Sequence, residues 1–425
     1  MRDKARGGRG ALCWAVAVVS VALVCGSLGA QELRAGAAKR EVWITMAERD
    51  LTALQESKPI GEWKDALQIY ATHDGLVMAL LPEERLEALG RAVHQRLKRC
   101  GGFVTHPSRE VALDALYSRP EYAPLTISYT IDNTAVAQTL YSAVEPAKIV
   151  DIIKLLSSNT TRYYTTTGGV NAANQLKTVW EKYSVGRSDV TVQLFTHSNW
   201  AQPSVIATIT GTSLPSEVVV IGGHLDSINS SSPTTGTAPG ADDDASGIAS
   251  LTEAFRAAMV SGYRPQRTVK FMAYAGEEAG LRGSGEIAAN YLANGVNVVG
   301  VLQLDMTNYK GSTPDIVLVT DNTNAAQNTF LGNLIDTYLG LSRSTSACGY
   351  ACSDHASWHS RGFVASIPFE ALMGQHNPRL HTVNDTLANS DATAGHAAKF
   401  ARLAAVYMAE LAKGSLGGVP PLPVK

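Results

Sequence analysis

The sequence predicts an α/β protein: a single three-layer α/β/α domain around a mixed, mostly parallel central sheet, preceded by a signal peptide and a small N-terminal prosegment. Three observations lead there. From about Ser128 onward, short apolar runs alternate with amphipathic stretches, the rhythm of strand and helix units whose sheet is covered on both faces. Val218–Ile221 is a continuous apolar run ending at Gly222-Gly223, the pattern of a strand buried on both sides. Residues 31–125 carry 27 charged residues in 95, about 28%, against 17% for the whole chain, so the composition changes before that rhythm begins.

The elements follow in order. Arg2, Lys4, Arg6 and Arg9 precede an apolar run from Ala11 to Cys25, and then the small residues Gly26, Ser27, Gly29 and Ala30. The run is shorter than the roughly 20 residues that span a bilayer. It reads as a secretory signal over 1–30, cleaved near Ala30, with Leu28 making the cleavage site imperfect. Residues 31–127 form a propeptide or N-terminal accessory segment. Leu81, Leu86, Leu89, Val93 and Leu97 show helical spacing there, and Gly101-Gly102, Pro120 and Pro124 suggest a loose connection. The unpaired Cys100 favours removal of this segment, because an exposed free thiol is a liability in a secreted protein.

Residues 128–415 are the main domain. Helices are expected over 145–156, Ile248–Val260, Ser284–Ala293, Thr329–Tyr338 and Ala398–Leu411. Strands are expected at Thr191–Phe195, Val205–Thr210, Val218–Ile221, Thr268–Tyr274, Val298–Asp305 and Ile316–Thr320. The end, 416–425, contains Pro420-Pro421-Leu422-Pro423, cannot be helical, and is read as a disordered tail.

A net charge of −2 gives no basic field for nucleic acid. Cys348 and Cys352 form a natural short-range disulfide in an oxidising compartment, whereas a cysteine metal site would need a second pair that the chain lacks. The informative residues lie where strands are expected to end. The 218–221 strand delivers Gly222-Gly223-His224-Leu225-Asp226-Ser227, the 268–274 strand Gly276-Glu277-Glu278, and the 298–305 strand Gln303-Leu304-Asp305. Asp242-Asp243-Asp244 opens a helix, and His381 comes late. Alone, Asp244 or Asp242 would suit an exposed helix cap. Together with His224, Glu277, Glu278, Asp305 and His381, the triple aspartate suits divalent cations instead. Imidazole and carboxylate without thiolate favour zinc, cobalt or manganese, and this many donors suits two ions sharing one bridging carboxylate. Adjacent Glu277 and Glu278 face different neighbours, so one can bind metal while the other acts as general base.

The blocks GGHLDS, APGADDDASG, AYAGEEAGLRGS, LQLDMTNYKG, CGYACSDHASW and HTVNDTLANSD resemble, in order, the M28 family of metallopeptidases, and within it the secreted bacterial leucyl aminopeptidases of the Aeromonas/Vibrio type. The likeness spans roughly residues 130–415. It implies two zinc ions: His224 and Asp305 on one, Glu278 and His381 on the other, and Asp243 bridging. It implies Glu277 as general base, Asp226 orienting His224, and Tyr350, inside the Cys348–Cys352 loop, polarising the substrate carbonyl. Met306, Val319, Ile367, Phe369, Met373 and His376 match the pocket for the N-terminal side chain. Met373 and His376 stand where the family leads one to expect aromatic residues. His355 and His359 are read as packing or hydrogen-bonding histidines. Such enzymes are often made with an inhibitory, folding-assisting prosegment.

The implied protein is a secreted zymogen of a di-zinc aminopeptidase preferring apolar N-terminal residues such as leucine. Its partners are peptides with a free N-terminus, with no nucleic acid, no membrane after signal cleavage, and a monomeric enzyme. Related rivals are the one-zinc glutaminyl cyclases and non-catalytic transferrin-receptor-like ectodomains. A serine hydrolase lacks support, since Gly283-Ser284-Gly285 does not have the G-x-S-x-G spacing.

Overall fold

The computed structural model describes residues 40–56, 63–97, 99, 101–117 and 127–417. The expected signal peptide, Cys100 and the proline-rich end lie outside the described residues. Residues 40–117 build a four-stranded antiparallel sheet of order β2-β3-β1-β4, from β1 (Glu41–Ala47), β2 (Gln68–His73), β3 (Leu76–Pro82) and β4 (Phe103–His106). Helices α1 (Glu48–Glu56), α2 (Leu86–Ala92) and α3 (Arg109–Tyr117) accompany it. Ile44, Leu54, Val77, Leu81, Leu86, Leu89 and Val93 share one core. The helical spacing that included Leu81 is corrected here: Leu81 lies in β3, and helix begins only after Pro82. The residue before a proline is driven to extended backbone, so Leu81 stays in the strand and helical geometry begins only beyond Pro82.

The second part begins with three helices, α4 (Thr134–Ser142), α5 (Pro146–Ser157) and α6 (Thr167–Tyr183). The sequence reading passed over α6, whose TTTGG start combines β-branched residues and glycine of low helix propensity. Its buried stripe Gly169, Ala172, Ala173, Leu176 and Trp180 has helical spacing, and the Thr166 side chain caps it by accepting from Gly169 N.

The central sheet uses β5 (Val190–Phe195), β6 (Ser204–Ile209) and β7 (Leu214–His224), and after α7 (Ala245–Val260) and β8 (Tyr263–Arg264) comes β9 (Arg267–Tyr274). Then follow α8 (Arg282–Ala293), β10 (Asn297–Gln303), β11 (Ile316–Val319), α9 (Ala325–Leu334), β12 (Arg343–Ser346), α10 (His355–His359), β13 (Ala365–Ser366), β14 (Pro368–Phe369), α11 (Ala397–Ala412) and β15 (Ser415–Leu416). The sheet order is β13-β10-β7-β9-β6-β5, with parallel pairing from β13 to β9 and antiparallel pairing beyond. The expected strand at Ile316–Thr320 forms, but in a separate sheet of order β12-β11-β14. Leu416, assigned to the tail from sequence, pairs with Tyr263.

Side chains of a strand alternate between faces, and the core follows that period of two. Val219, Ile221, Val269 and Phe271 meet α7 and α11 in one core, while Val218, Val220, Met272 and Tyr274 meet Ile287, Tyr291 and Trp358 of α8 and α10 in another. Phe271 is wholly buried, and burying a side chain of that size stabilises by about 1.5–3 kcal/mol. The strands beside the sheet centre are therefore covered on both faces, which is why they read as continuous apolar runs. No helix among the described residues is long and apolar enough to cross a membrane.

Candidate metal centre at the strand ends

Three neighbouring parallel strands end at one edge. Register aligns His224 of β7 with Tyr274 of β9, and Gly222 of β7 with Gln303 of β10. In open α/β sheets that carboxyl edge is where ligands sit. The chain leaves β9 through Gly276 at φ 67° and returns through Gly280 at φ 98°, a left-handed pair that glycine adopts without strain. Glu277 and Glu278 are turned inward between them, and both are buried.

His224, Asp243, Glu278, Asp305 and His381 are all brought together and buried. His224 Nε2 lies 3.0 Å from Asp243 Oδ1 and 3.5 Å from Asp305 Oδ1. His381 Nε2 lies 3.0 Å from Asp243 Oδ2 and 3.2 Å from Glu278 Oε2. The two oxygens of Asp243 thus face the two imidazoles, one each. Met306 and His381 are held at φ 51° and 57°. A left-handed backbone costs a non-glycine residue about 1–2 kcal/mol, so the surrounding packing fixes the turns that carry Asp305 and His381.

The three aspartates divide their work. Asp244 caps α7 by accepting from Gly247 N at 2.8 Å, and also accepts from His224 N at 3.0 Å and Met306 N at 3.1 Å. The helix-cap reading holds for it, though its carboxylate is buried and ties three segments together instead of facing water. Asp242 accepts from Asn308 N at 2.9 Å and Asn377 Nδ2 at 3.0 Å, and burial pushes its carboxyl up to about 6. Only Asp243 turns to both histidines.

Asp226 lies 3.5 Å from His224 Nδ1, as the resemblance implies, but it does more. Its two oxygens accept from Glu277 N at 3.0 Å and Glu278 N at 3.2 Å, so one carboxylate sets both glutamates. Asp226→Ala is expected to lower zinc affinity or kcat/KM by about 10–100-fold, the usual effect of removing such a supporting group. Chelator competition and steady-state kinetics check it.

Sequence reasoning missed other supports. Asp385 accepts from Asp242 N and Asp243 N, each at 3.1 Å. Its signal was present in the quoted block HTVNDTLANSD, without a role. The wholly buried Arg162 donates to Leu225 O at 2.9 Å, Pro239 O at 2.6 Å and Gly240 O at 2.9 Å, pinning two site loops. Asp354 accepts from Gln303 Nε2 at 3.0 Å, and burial pushes its carboxyl up to about 7. A solitary arginine far along the chain carries no local signal for such a position. His94 was also missed.

Burial pushes the Glu277 carboxyl well above the ordinary range; His224 opposes this and Glu278 adds to it. Neither oxygen of Glu277 has a hydrogen-bond partner among the described residues. The same is true of both Glu278 oxygens, both His224 nitrogens and Asp305 Oδ1. Buried polar atoms are ordinarily paired, so orphans this concentrated mark a missing charge. The donor set of nitrogen and oxygen fits zinc and its like.

Cys348 and Cys352 are bonded, with Tyr350 half-buried in their loop. Tyr350, Met306, Ile367, Phe369, Met373 and His376 line a cleft beside Asp305, joined by Leu380 and Arg99. Val319 is buried in the apolar cluster behind that wall. His355 is wholly buried and burial pushes it down to about 3, and it belongs to none of the metal-capable clusters among the described residues.

Fold and donor set define a class, the metallopeptidases, and comparison with known proteins gives the family. Residues 204–406 match the model of peptidase family M28. The chain is 36% identical over 333 residues to a probable leucine aminopeptidase 1 of Trichophyton verrucosum, covering 75% of this chain and 87% of that one. It is 40% identical over 278 residues to leucine aminopeptidase 1 of Arthroderma otae, covering 62% and 73%. The crystal structure of the LapA aminopeptidase of Legionella pneumophila is similar, with a TM-score of 0.75 and 26% identity over 89% of this chain and 100% of that one. The chain belongs to peptidase family M28 and is a metallo-aminopeptidase.

Proposed function

We propose that this chain is a secreted di-zinc aminopeptidase that removes apolar N-terminal residues such as leucine from peptides. The observation that carries the reading is Asp243, whose two oxygens each lie 3.0 Å from a different imidazole. His224 and Asp305 would hold one ion, His381 and Glu278 the other, and Asp243 would bridge. Bound zinc supplies Lewis-acid polarisation and a water acidified towards a pKa of ~7.

The chain's own residues do the rest. Glu277 takes a proton from the attacking water and delivers it to the leaving amine nitrogen as the C–N bond breaks. Its position supports this, because both oxygens are buried at the centre and neither is committed to a hydrogen bond among the described residues. The Tyr350 hydroxyl donates to the scissile carbonyl oxygen. The apolar wall of Met306, Ile367, Phe369 and Met373 supports a preference for an aliphatic side chain. Met373 and His376 give that wall a softer rim than an aromatic pair would.

The basic and apolar pattern of residues 1–30 supports export, and the composition of 31–127 supports a prosegment removed on maturation. Mass spectrometry of protein from culture medium tests both, and a mature N-terminus at Gln31 or earlier would reject removal of the prosegment. Leucine p-nitroanilide should be cleaved and its N-acetyl derivative should not. Elemental analysis should find two zinc ions per chain. Activity surviving thorough chelation, or equal cleavage of the acetylated substrate, sinks the proposal.

Zinc uptake should also be pH-dependent. Burial pushes the Glu278 carboxyl of the metal-free site up to about 7. Burial opposes the charge on His381, yet Glu278 and Asp243 outweigh it and lift the imidazole to about 10. Metal must displace these protons, so affinity falls as pH drops, by about tenfold per pH unit for each proton displaced. Chelator competition at pH 6 and 8 measures it, and equal affinities would refute it.

A further inference from the structure

Residues 40–117 lie against the site. Thr105 N donates to Gly280 O at 3.2 Å, and Gly102 N donates to Ala351 O at 3.3 Å in the disulfide loop. Arg282, at the start of α8, pairs with Glu83. Among these contacts one residue reaches the donor cluster itself. His94 sits in a π turn, Val93–Leu97, that continues α2. Such widened turns recur at functional sites because they re-aim a side chain out of the helical sequence of faces. Val93 keeps its place in the core of the N-terminal sheet, while His94 is turned to the metal centre.

The surroundings of His94 do not explain an imidazole by packing alone. Its side chain is wholly buried, and neither ring nitrogen has a hydrogen-bond partner among the described residues. An unpaired buried polar group costs about 1–3 kcal/mol by mutational measures, which an apolar side chain would avoid. Nε2 points at Glu278 Oε2 across 3.7 Å, too long for a hydrogen bond. Two donors bound at 2.0–2.1 Å to one tetrahedral ion stand about 3.3 Å apart, which is close to that separation. The ring stacks on His381 with centroids 4.2 Å apart and planes at 22°. His94, Glu278 and His381 each offer a donor atom within 4.8 Å of the other two. The turn is also clamped to this place: Gln95 Nε2 donates to Ser230 O at 2.7 Å, and Ser230 N donates to His381 O at 3.0 Å.

We propose that His94 is a metal ligand in the intact chain, completing a His94–Glu278–His381 set on the second ion, so that the N-terminal module closes the centre by coordination. This rests on the reading of the site as a two-metal centre. Arg99 of the same module lies with its guanidinium 3.8 Å over the Tyr350 ring and lines the substrate cleft. The module therefore covers both halves of the site: His94 takes the coordination position, and Arg99 occupies the mouth of the side-chain pocket. Departure of the module vacates both together.

The test uses the full-length chain loaded with Co2+ or Zn2+ alone. His94→Phe keeps a ring stacked on His381 but removes both nitrogens, and His94→Ala removes the ring as well. Both variants should bind the second ion at least about tenfold more weakly than wild type by chelator competition, and both should change the visible d–d bands of the Co2+ form. Wild-type affinity and an unchanged spectrum in His94→Phe would overturn the proposal and leave His94 a packing residue. Should the variants not fold, the wild-type chain labelled with 15N-histidine decides: zinc should shift the ring nitrogens of His94 as well as those of His224 and His381. Shifts confined to His224 and His381 overturn the proposal but keep the metal centre. If wild type takes up less than two ions, or if Glu278→Gln leaves uptake unchanged, the reading of the centre itself falls, and the proposal with it.

Discussion

Glu277→Gln is expected to lower kcat by about 10²–10⁴-fold while zinc content stays at the wild-type level. The substitution keeps the shape of the side chain and its buried place beside Asp226, but removes the proton acceptor. Asp226 holds Glu277 by its backbone N–H, so the loop should not move. The effect should appear in kcat more than in KM, because the proton is transferred only as the transition state is reached. Turnover within about tenfold of wild type, with both zinc ions bound, would remove Glu277 from the role of base. Loss of zinc in the same variant would make it a ligand instead.

The second large effect is expected at Asp243. Asp243→Ala should abolish binding of both ions together, because this carboxylate faces both imidazoles at 3.0 Å. In the enzyme freed of its N-terminal module, and so of His94, each half-site would be left with one histidine and one acidic partner, fewer than the three protein ligands of ordinary catalytic zinc sites. Activity should fall by about three orders of magnitude or more, corresponding to about 4 kcal/mol of transition-state stabilisation. Elemental analysis after dialysis separates the outcomes. Retention of one tightly held ion would mean that the two half-sites are independent and that Asp243 does not bridge. The hydrogen bonds from Asp242 N and Asp243 N to Asp385 involve the backbone and persist in the variant, which favours an intact loop.

Both predictions concern residues that were legible before any coordinates. His224, Glu277, Glu278 and Asp305 stand out because they lie at or just after expected strand ends, Asp243 because it opens a helix, and His381 because its block HTVNDTLANSD resembles that of the family. The β7, β9 and β10 strands were legible for the same reason their burial is complete: both faces are apolar, so the run is uninterrupted. By contrast, α6 was obscured by a helix start that local propensity disfavours, and tertiary burial of Leu176 and Trp180 overrides that preference. Leu81 misled because an apolar residue that ends a strand can match the phase of the helix that follows it.

The sequence by itself determined the class of protein, the donor types and the division of the chain into a charged N-terminal part and an α/β part. These depend on residue identity and short-range order, and both are written locally. Only the tertiary structure decided which of the three aspartates faces both histidines, that Asp226 anchors two glutamates, that Arg162 and Asp385 hold the loops, and that His94 reaches the centre. Those assignments depend on distances between residues far apart in the chain, which packing sets and no local pattern records.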